Sequence, residues 1–273
     1  MRRSISFFIA AAIVCEAGLV WAHSEEAAVC VKTYNLIKID AELADWTTRI
    51  DPENWGALLK LKKGEVEDWM MMAPPSYVNK LTSRVEAGEV STPKDFSMTF
   101  YCMWDEENFY FAAEVTDDAV VAQHEGDDIW QDDCIEVWFD GRYDAVTKTM
   151  FQDDEYQIGF SPRSKDRPKT IGWCWRNPNP QPVISNMKVA SRLTETGYIL
   201  EVAIPFSALR GITPEVCKVM GFNVSVVDKD QDQLWTHITW SGYLHSNPTQ
   251  FGKLYFVDAP IEVNISDLKK LQK

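Results

Sequence analysis

From Phe96 onward the sequence is a succession of short segments rich in aromatic and β-branched residues, each closed by a turn signal. Residues 96–104 and 109–115 flank a polar turn and predict one hairpin, and residues 187–193 and 197–204 predict a second. Further strands are predicted at residues 134–139, 155–160, 171–175, 219–227, 237–240 and 253–257. Many short strands with closely spaced turns predict an all-β fold, an antiparallel, jelly-roll-like β-sandwich.

The segment before this succession is less regular. Residues 36–39 predict a short strand, and residues 40–46 predict a polar turn that ends on Trp46. Residues 47–95 carry several glycines and prolines and predict a long helical or loop insertion, with residues 54–61 as one short helix. The predicted domain spans residues 32–257, and residues 258–273 form a polar C-terminal tail.

The first residues have the pattern of a secretory signal peptide. A basic pair, Arg2-Arg3, precedes an apolar run, and small residues end the segment at Ala22. We therefore expect residues 1–22 to be removed and the protein to be secreted or periplasmic. Removal of Cys15 leaves five cysteines, whose spacing matches no metal or redox motif and assigns no disulfide pairs.

Charge narrows the class of partner. The net charge is −14 for the whole chain and about −15 without the predicted signal peptide. Such acidity argues against nucleic acid and anionic membrane surfaces, and it fits a neutral polymer or a divalent cation better. After the signal peptide, the sequence contains no apolar segment long enough to span a bilayer. The sequence does not indicate an oligomeric state.

One stretch, residues 127–141, combines a loop of four carboxylates around Trp130 with an apolar strand. Indole rings stack on the C–H faces of sugars, and carboxylates accept hydrogen bonds from hydroxyls. Trp130 is therefore interpreted either as a stacking platform at the mouth of a site or as a lid on the core. Glu136 lies among apolar residues of the strand and needs a partner, which is either a sugar hydroxyl or an arginine such as Arg142 or Arg176.

The order of several motifs resembles the family-nine carbohydrate-binding modules. The motifs lie at residues 39–46, 104–111, 115–118, 130–140, 197–205, 220–224, 240–241 and 251–254. The resemblance implies an antiparallel β-sandwich and an oligo- or polysaccharide as the ligand. Members that bind sugar clamp it between two tryptophans, with carboxylate, amide and arginine groups on the hydroxyls.

The resemblance carries over to individual residues. The first tryptophan of the clamp falls on Trp130 and the nearby carboxylate on Glu136, whereas the family's arginine falls near Gln157. The loop that holds the second tryptophan is shorter in this sequence, and Tyr243 or His245 is expected to replace it. Trp173 and Trp175 lie two residues apart and predict either a binding stripe or core packing.

Some members of the family hold calcium in acidic loops, which makes calcium a candidate cofactor. The candidate ligands are Asp117, Asp118, Asp127 and Asp128, because Ca²⁺ takes six to eight oxygen ligands from flexible loops. The alternative interpretation of these aspartates is a solvated acidic face.

The favoured function is a secreted, non-catalytic carbohydrate-binding protein that takes part in polysaccharide recognition or breakdown. One alternative is a secreted enzyme acting on polysaccharide, either a glycosidase with two carboxylates or a copper-dependent oxidase. The copper hypothesis uses His23 as a new N-terminus together with His124, His237 or His245. Another is a haem-binding relative of the same sandwich, with Met70 or Met71 and a histidine as axial ligands.

Overall fold

The computed structural model describes residues 26–49, 70–72, 76–78, 84–89, 92–145, 152–215, 218–230, 236–242 and 245–258. The strands in these ranges are β1 (Ala27–Lys32), β2 (Thr47–Arg49), β3 (Met70–Met72), β4 (Ser76–Val78), β5 (Arg84–Ala87), β6 (Phe96–Trp104), β7 (Asn108–Asp117), β8 (Cys134–Asp140), β9 (Glu155–Ser161), β10 (Ile171–Arg176), β11 (Lys188–Leu193), β12 (Gly197–Pro205), β13 (Val219–Asp228), β14 (Thr236–Thr239) and β15 (Gly252–Val257). Helix α1 spans Gln181–Asn186, and 3₁₀ turns lie at Leu43–Asp45, Gly126–Gln131, Phe206–Ala208 and Pro248–Gln250. Among these residues, no helix has the length and apolarity needed to cross a membrane.

Thirteen of the described strands form one continuous sheet that folds into two halves. One half has the order β10-β9-β8-β13-β15, and the other has the order β1-β6-β7-β12-β11. Strands β14 and β5 extend the first half beside β13, and β4 pairs with β6. The predicted antiparallel pairing holds except at β1, which enters between β15 and β6 and runs parallel to both.

The two halves pack face to face across one aromatic core. Phe109 on β7 contacts Phe139 on β8 edge to face, with ring centroids 5.1 Å apart. Phe111 on β7 stacks on Phe160 of β9 at 6.4 Å. Because a strand turns alternate side chains to opposite faces, each of these strands also presents a second set of residues on the outside of the sandwich. The all-β prediction is therefore confirmed.

The segment before β6 differs from the prediction. Residues 36–39 pair with no strand in the described part of the chain; Ile37 is buried against the outer face of the sheet and Leu36 is exposed. The described residues between 47 and 95 form the short strands β2 to β5 together with turns, so no helical insertion is found among them. The predicted helix at 54–61, the signal peptide and most of the tail lie outside the described residues.

The described cysteines are core residues. Cys30, Cys102, Cys134 and Cys174 are buried and carry free thiols. Cys30 lies opposite Cys102 in the parallel pair of β1 and β6. Burial raises the pKa of each of these two thiols well above its ordinary value, which keeps them neutral. Cys102 and Cys134 therefore serve as small core residues.

Candidate functional site

A groove of about 500 Å³ lies on the outer face of the first half of the sheet. Its lining residues are Asp127, Asp128, Trp130, Glu136, Gln157, Trp175, Arg176, Val227, His237 and His245. The groove therefore brings together Trp130, Glu136, Gln157 and His245, four of the five residues predicted to bind sugar. The fifth, Tyr243, lies outside the described residues.

Glu136 reaches the groove because of the alternation along β8. Ile135 and Val137 belong to the core between the two halves, which turns Glu136 and Trp138 to the outside. The same alternation on β9 sends Ile158 into the core and Gln157 into the groove. A single charge among apolar residues of one strand thus becomes a polar group on the outer face.

Trp130 is 42% exposed, so its ring is not packed inside the core. It lies in the 3₁₀ turn Gly126–Gln131, whose Ile129 is fully buried and anchors the turn to the sheet. Gly126 enters this turn with a φ of 62°, a conformation that glycine adopts without steric cost. The buried anchor holds the neighbouring indole at the rim of the groove.

Hydrogen bonds link the carboxylate, an amide and an arginine across three strands. Glu136 Oε2 accepts from Ser225 Oγ at 2.9 Å and from Gln157 Nε2 at 3.3 Å. Gln157 Oε1 in turn accepts from Arg176 Nε at 3.3 Å. Burial raises the pKa of Glu136, and the neighbouring His245 and Ser225 partly offset this effect. Arg176 thus supports Glu136 through Gln157, whereas Arg142 pairs with Asp153 at 2.8 Å.

Trp175 and Arg176 line the groove, although neither was among the residues predicted to bind sugar. Trp175 was predicted to belong either to a binding stripe or to the core, and Arg176 was predicted only as a structural partner of Glu136. Successive residues of a regular strand face opposite ways, but the register of β10 against β9 shifts between Cys174 and Arg176. The Trp175 ring lies over Gly159, where a Cβ atom would be 2.3 Å from it. Trp175 Nε1 donates to the carbonyl of Asp127 at 2.8 Å, which ties the 3₁₀ turn to β10. The spacing of Trp173 and Trp175 was the sequence signal for this wall.

Two histidines also line the groove. The rings of His237 on β14 and His245 are 4.0 Å apart between centroids. His245 Nδ1 is 2.6 Å from Glu86 Oε2, and Glu86 Oε1 accepts from the backbone N–H of His245. Burial and the adjacent His245 lower the pKa of His237 to about 4, which makes it a neutral imidazole at neutral pH. From the sequence, His237 was predicted only as a possible copper ligand, and Glu86 was not predicted to belong to any site.

The predicted calcium ligands lie at three separate places. Asp117 meets Asp133 and Asp228 in a buried trio, and Asp118 meets Asp95 and Asp230 nearer the surface. Asp127 and Asp128 line the groove instead. Each trio offers carboxylate oxygens within 4.8 Å of one another, which is the oxygen donor set that Ca²⁺ prefers.

The buried trio has perturbed acidity. Burial raises the pKa of Asp117 to about 6 and that of Asp228 to about 8, and the neighbouring carboxylates add to the shift of Asp228. Asp133 Oδ1 accepts from the backbone N–H of Lys229 at 2.7 Å, and its Oδ2 accepts from that of Val121 at 2.6 Å. A bound cation would favour the ionised form of all three groups.

The residues of the other hypotheses are only partly described. His124 lies apart from the histidine pair, with its Nδ1 2.8 Å from Asp132 Oδ1. His23 lies outside the described residues. Met70 and Met71 lie in β3, which pairs with β2, and only their backbone is described.

Comparison with known proteins identifies relatives across the same domain. The family model described as "Carbohydrate family 9 binding domain-like" matches residues 68–259. Endo-1,4-beta-xylanase A of Thermoanaerobacterium saccharolyticum is 28% identical over 162 residues, which are 58% of this chain and 12% of that protein. Exoglucanase XynX of Acetivibrio thermocellus is 26% identical over 162 residues, 58% of this chain and 13% of the relative. The chain therefore matches only about an eighth of the length of these relatives.

Solved structures show the same fold. A family 9 carbohydrate-binding module from Caldicellulosiruptor kristjanssonii in complex with cellotriose superposes with a TM-score of 0.53 at 17% identity, covering 84% of this chain and 94% of that one. The complex of such a module with glucose, from the same organism, gives 0.53 at 18% identity, covering 86% and 99%. Since the family model spans most of the chain and the fold agrees, this chain belongs to the carbohydrate family 9 binding domain-like family.

Proposed function

We propose that the protein binds carbohydrate in the groove and does not itself cleave it. Trp130 stacks on the face of a sugar ring, and Glu136 and Gln157 bind its hydroxyls. The observation that carries this proposal is the half-exposed Trp130 indole at the rim of a groove whose floor holds the buried Glu136. Burial of that carboxylate is favourable only where hydrogen-bond donors reach it, and sugar hydroxyls are donors.

The other side of the sugar faces Trp175 and His245 in this proposal. Both residues line the groove, and Trp175 is held in place by its hydrogen bond to the Asp127 carbonyl. Tyr243, two residues before His245, remains a candidate for the same side. An aromatic wall opposite Trp130 would give a clamp without the second tryptophan at its usual position in the loop before β15.

The names of the relatives support a more specific ligand class. The matched proteins are named as a xylanase and an exoglucanase, and the solved neighbours hold cellotriose or glucose. We therefore infer a β-1,4-linked plant-type oligo- or polysaccharide as the ligand. The predicted signal peptide at residues 1–22 is consistent with secretion or export to the periplasm, where the protein could reach such polysaccharides.

A panel of soluble and insoluble glycans, including cellulose, xylan and their oligosaccharides, tests the proposal. The wild-type chain is expected to retain at least one glycan, and Trp130→Ala is expected to lose it. An assay of released reducing ends with and without copper separates binding from catalysis. A chain that binds no glycan, or that releases reducing ends, contradicts the proposal.

Calcium is proposed as a structural ion at the Asp117, Asp133 and Asp228 trio. These carboxylates lie at the ends of β7 and β13 and before β8, so an ion there would join the loop that carries Trp130 to the sheet. Thermal unfolding of chelator-treated protein tests this, and added Ca²⁺ is expected to raise the midpoint in wild type but not in Asp133→Asn. An equal shift in both proteins would contradict the assignment.

A further inference from the structure

Glu86, His237 and His245 form a cluster of which only His245 is a proposed sugar contact. Each residue offers one ligand atom, and the three atoms lie within 4.8 Å of one another. They come from β5, from β14 and from the turn before β15. His237 and His245 also line the groove, which gives the cluster a path to solvent.

Pairing between strands and side-chain contacts bring the three residues together. β5 pairs with β14 so that Ala87 lies opposite His237, and the register shifts between His237 and Ile238. Glu86 binds both the ring and the backbone N–H of His245. The ring of His245 also packs against Trp138, with centroids 5.2 Å apart. The packing and the backbone hydrogen bond are features that orient metal ligands, whereas a bound ion would replace the contact between Glu86 Oε2 and His245 Nδ1.

We propose that Glu86, His237 and His245 bind a first-row transition-metal dication such as Zn²⁺. Two imidazoles and one carboxylate are a donor set that suits Zn²⁺, Ni²⁺ or Cu²⁺, whereas Ca²⁺ takes oxygen donors alone. Two ligands on one zinc ion lie at most about 4.2 Å apart, since each bond is about 2.1 Å long. A separation within 4.8 Å therefore requires only a small closure of the side chains.

The cluster differs in chemistry from the acidic trios of the same chain. Those offer carboxylate oxygens only, whereas this one adds two nitrogen donors. Three protein ligands leave a tetrahedral ion one further position, which water or a ligand in the groove would fill. The proposal rests on these three residues and does not depend on what else the groove binds.

Calorimetric titration of ZnCl₂ into the full chain, purified without a histidine tag, tests the site. Excess CaCl₂ is present throughout so that the acidic trios are occupied. We expect one Zn²⁺ per chain, and Co²⁺ in place of Zn²⁺ is expected to give visible absorption bands of a site with nitrogen ligands. Loss of a direct ligand in His245→Ala or Glu86→Gln is expected to weaken Zn²⁺ binding by more than about tenfold. Loss of a residue that only hydrogen-bonds to a metal ligand already lowers metal affinity by about that factor.

His124→Ala is the matched control, because His124 lies outside the cluster beside Asp132. It is expected to bind Zn²⁺ as the wild type does. Circular dichroism and the unfolding midpoint in chelator show whether each variant folds, and the Co²⁺ spectrum of the wild type tests the site without any substitution. The proposal is overturned if the wild type binds no stoichiometric Zn²⁺, or if folded His245→Ala and Glu86→Gln both bind it with wild-type affinity.

Discussion

Two buried glutamates, one on each outer face of the sandwich, differ in where their hydrogen-bond donors come from. Glu201 on β12 is fully buried and accepts from Trp46 Nε1 at 2.6 Å, from the backbone N–H of Asp40 at 2.8 Å and from that of Ala41. Glu136 on β8 is 3% exposed and accepts from Ser225 and Gln157. In both residues burial raises the pKa.

The difference lies in what covers each face. Residues 33–46 fold over the second half of the sheet, where Trp46 and Ile37 pack on its outer apolar residues. The first half has instead the open groove that Glu136 lines. Both hydrogen bonds that Glu136 accepts from described residues go to Oε2, so Oε1 retains acceptor capacity. Glu201, whose hydrogen-bond donors all come from its own chain, stabilises the fold. Glu136, which lies beside an open groove, is placed to accept hydrogen bonds from a ligand.

The largest expected effect is on stability, in Glu201→Ala. The change leaves the Trp46 indole N–H and two backbone N–H groups without their acceptor in a buried place. We expect the free energy of unfolding to fall by about 3 to 4 kcal/mol. Urea unfolding followed by tryptophan fluorescence measures it. A loss below about 1 kcal/mol would break the comparison, because Glu201 would then not hold the covering segment.

Glu155 on β9 sharpens the comparison, because its carboxylate is buried but accepts few hydrogen bonds. Its Oε2 accepts from the backbone N–H of Gln152 at 2.8 Å, and its Oε1 is buried without a hydrogen-bond partner among the described residues. Burial, together with Asp140 and Asp154, raises its pKa from 4.5 to about 7. The folded state therefore binds a proton more tightly than the unfolded state does.

The sign of the pH dependence follows from this raised pKa. The contribution of Glu155 to stability is fully present below about pH 4.5 and is lost as the pH rises through about 7. Between pH 5 and pH 8 the wild type is expected to lose about 2 kcal/mol more stability than Glu155→Gln, which keeps no titratable group. Urea unfolding of both proteins at the two pH values measures the difference. Parallel pH profiles would show that Glu155 is ionised in the folded state.

The smallest expected change in stability is that of Glu136→Gln. The amide retains an acceptor for Ser225, so the free energy of unfolding should change by less than about 1 kcal/mol. Affinity for the bound glycan should fall about tenfold, because the amide is a weaker acceptor than the carboxylate. Calorimetric titration and urea unfolding of the same protein give the two numbers. Large destabilisation with unchanged affinity would place Glu136 in the same class as Glu201.

The sequence predicted the strands from β6 onward well, because alternation of apolar residues is a local signal. The first strand, Ala27–Lys32, was missed, since its pairing with β15 and β6 joins distant parts of the chain. Residues 36–39 also alternate, but Ile37 packs on the outer face of the sheet instead of pairing. A hydrophobic pattern indicates which side chains are buried. It does not indicate whether the backbone forms hydrogen bonds to a neighbouring strand.

For the site, the sequence indicated Trp130 and Glu136 because they share one short motif. Trp175 and Arg176 depend on an irregular register in β10, and His237 depends on its position opposite Val227 of β13. Neither the register shift nor the strand pairing leaves a local pattern, although the spacing of Trp173 and Trp175 did indicate a binding stripe as one of two interpretations. The helix at Gln181–Asn186 is not among the predicted elements, because the adjacent prolines argue against a helix, although Pro182 lies in the first turn, where proline is tolerated.

The most direct measurement is calorimetric titration of the best-bound oligosaccharide from the panel into wild type, Trp130→Ala and Tyr34→Ala. Tyr34 is the control because it is an exposed aromatic residue, 61% accessible, outside the groove. We predict that Trp130→Ala lowers the affinity at least about tenfold, as loss of a central aromatic contact does, and that Tyr34→Ala keeps it. Equal affinity in wild type and Trp130→Ala would contradict the groove as the binding site.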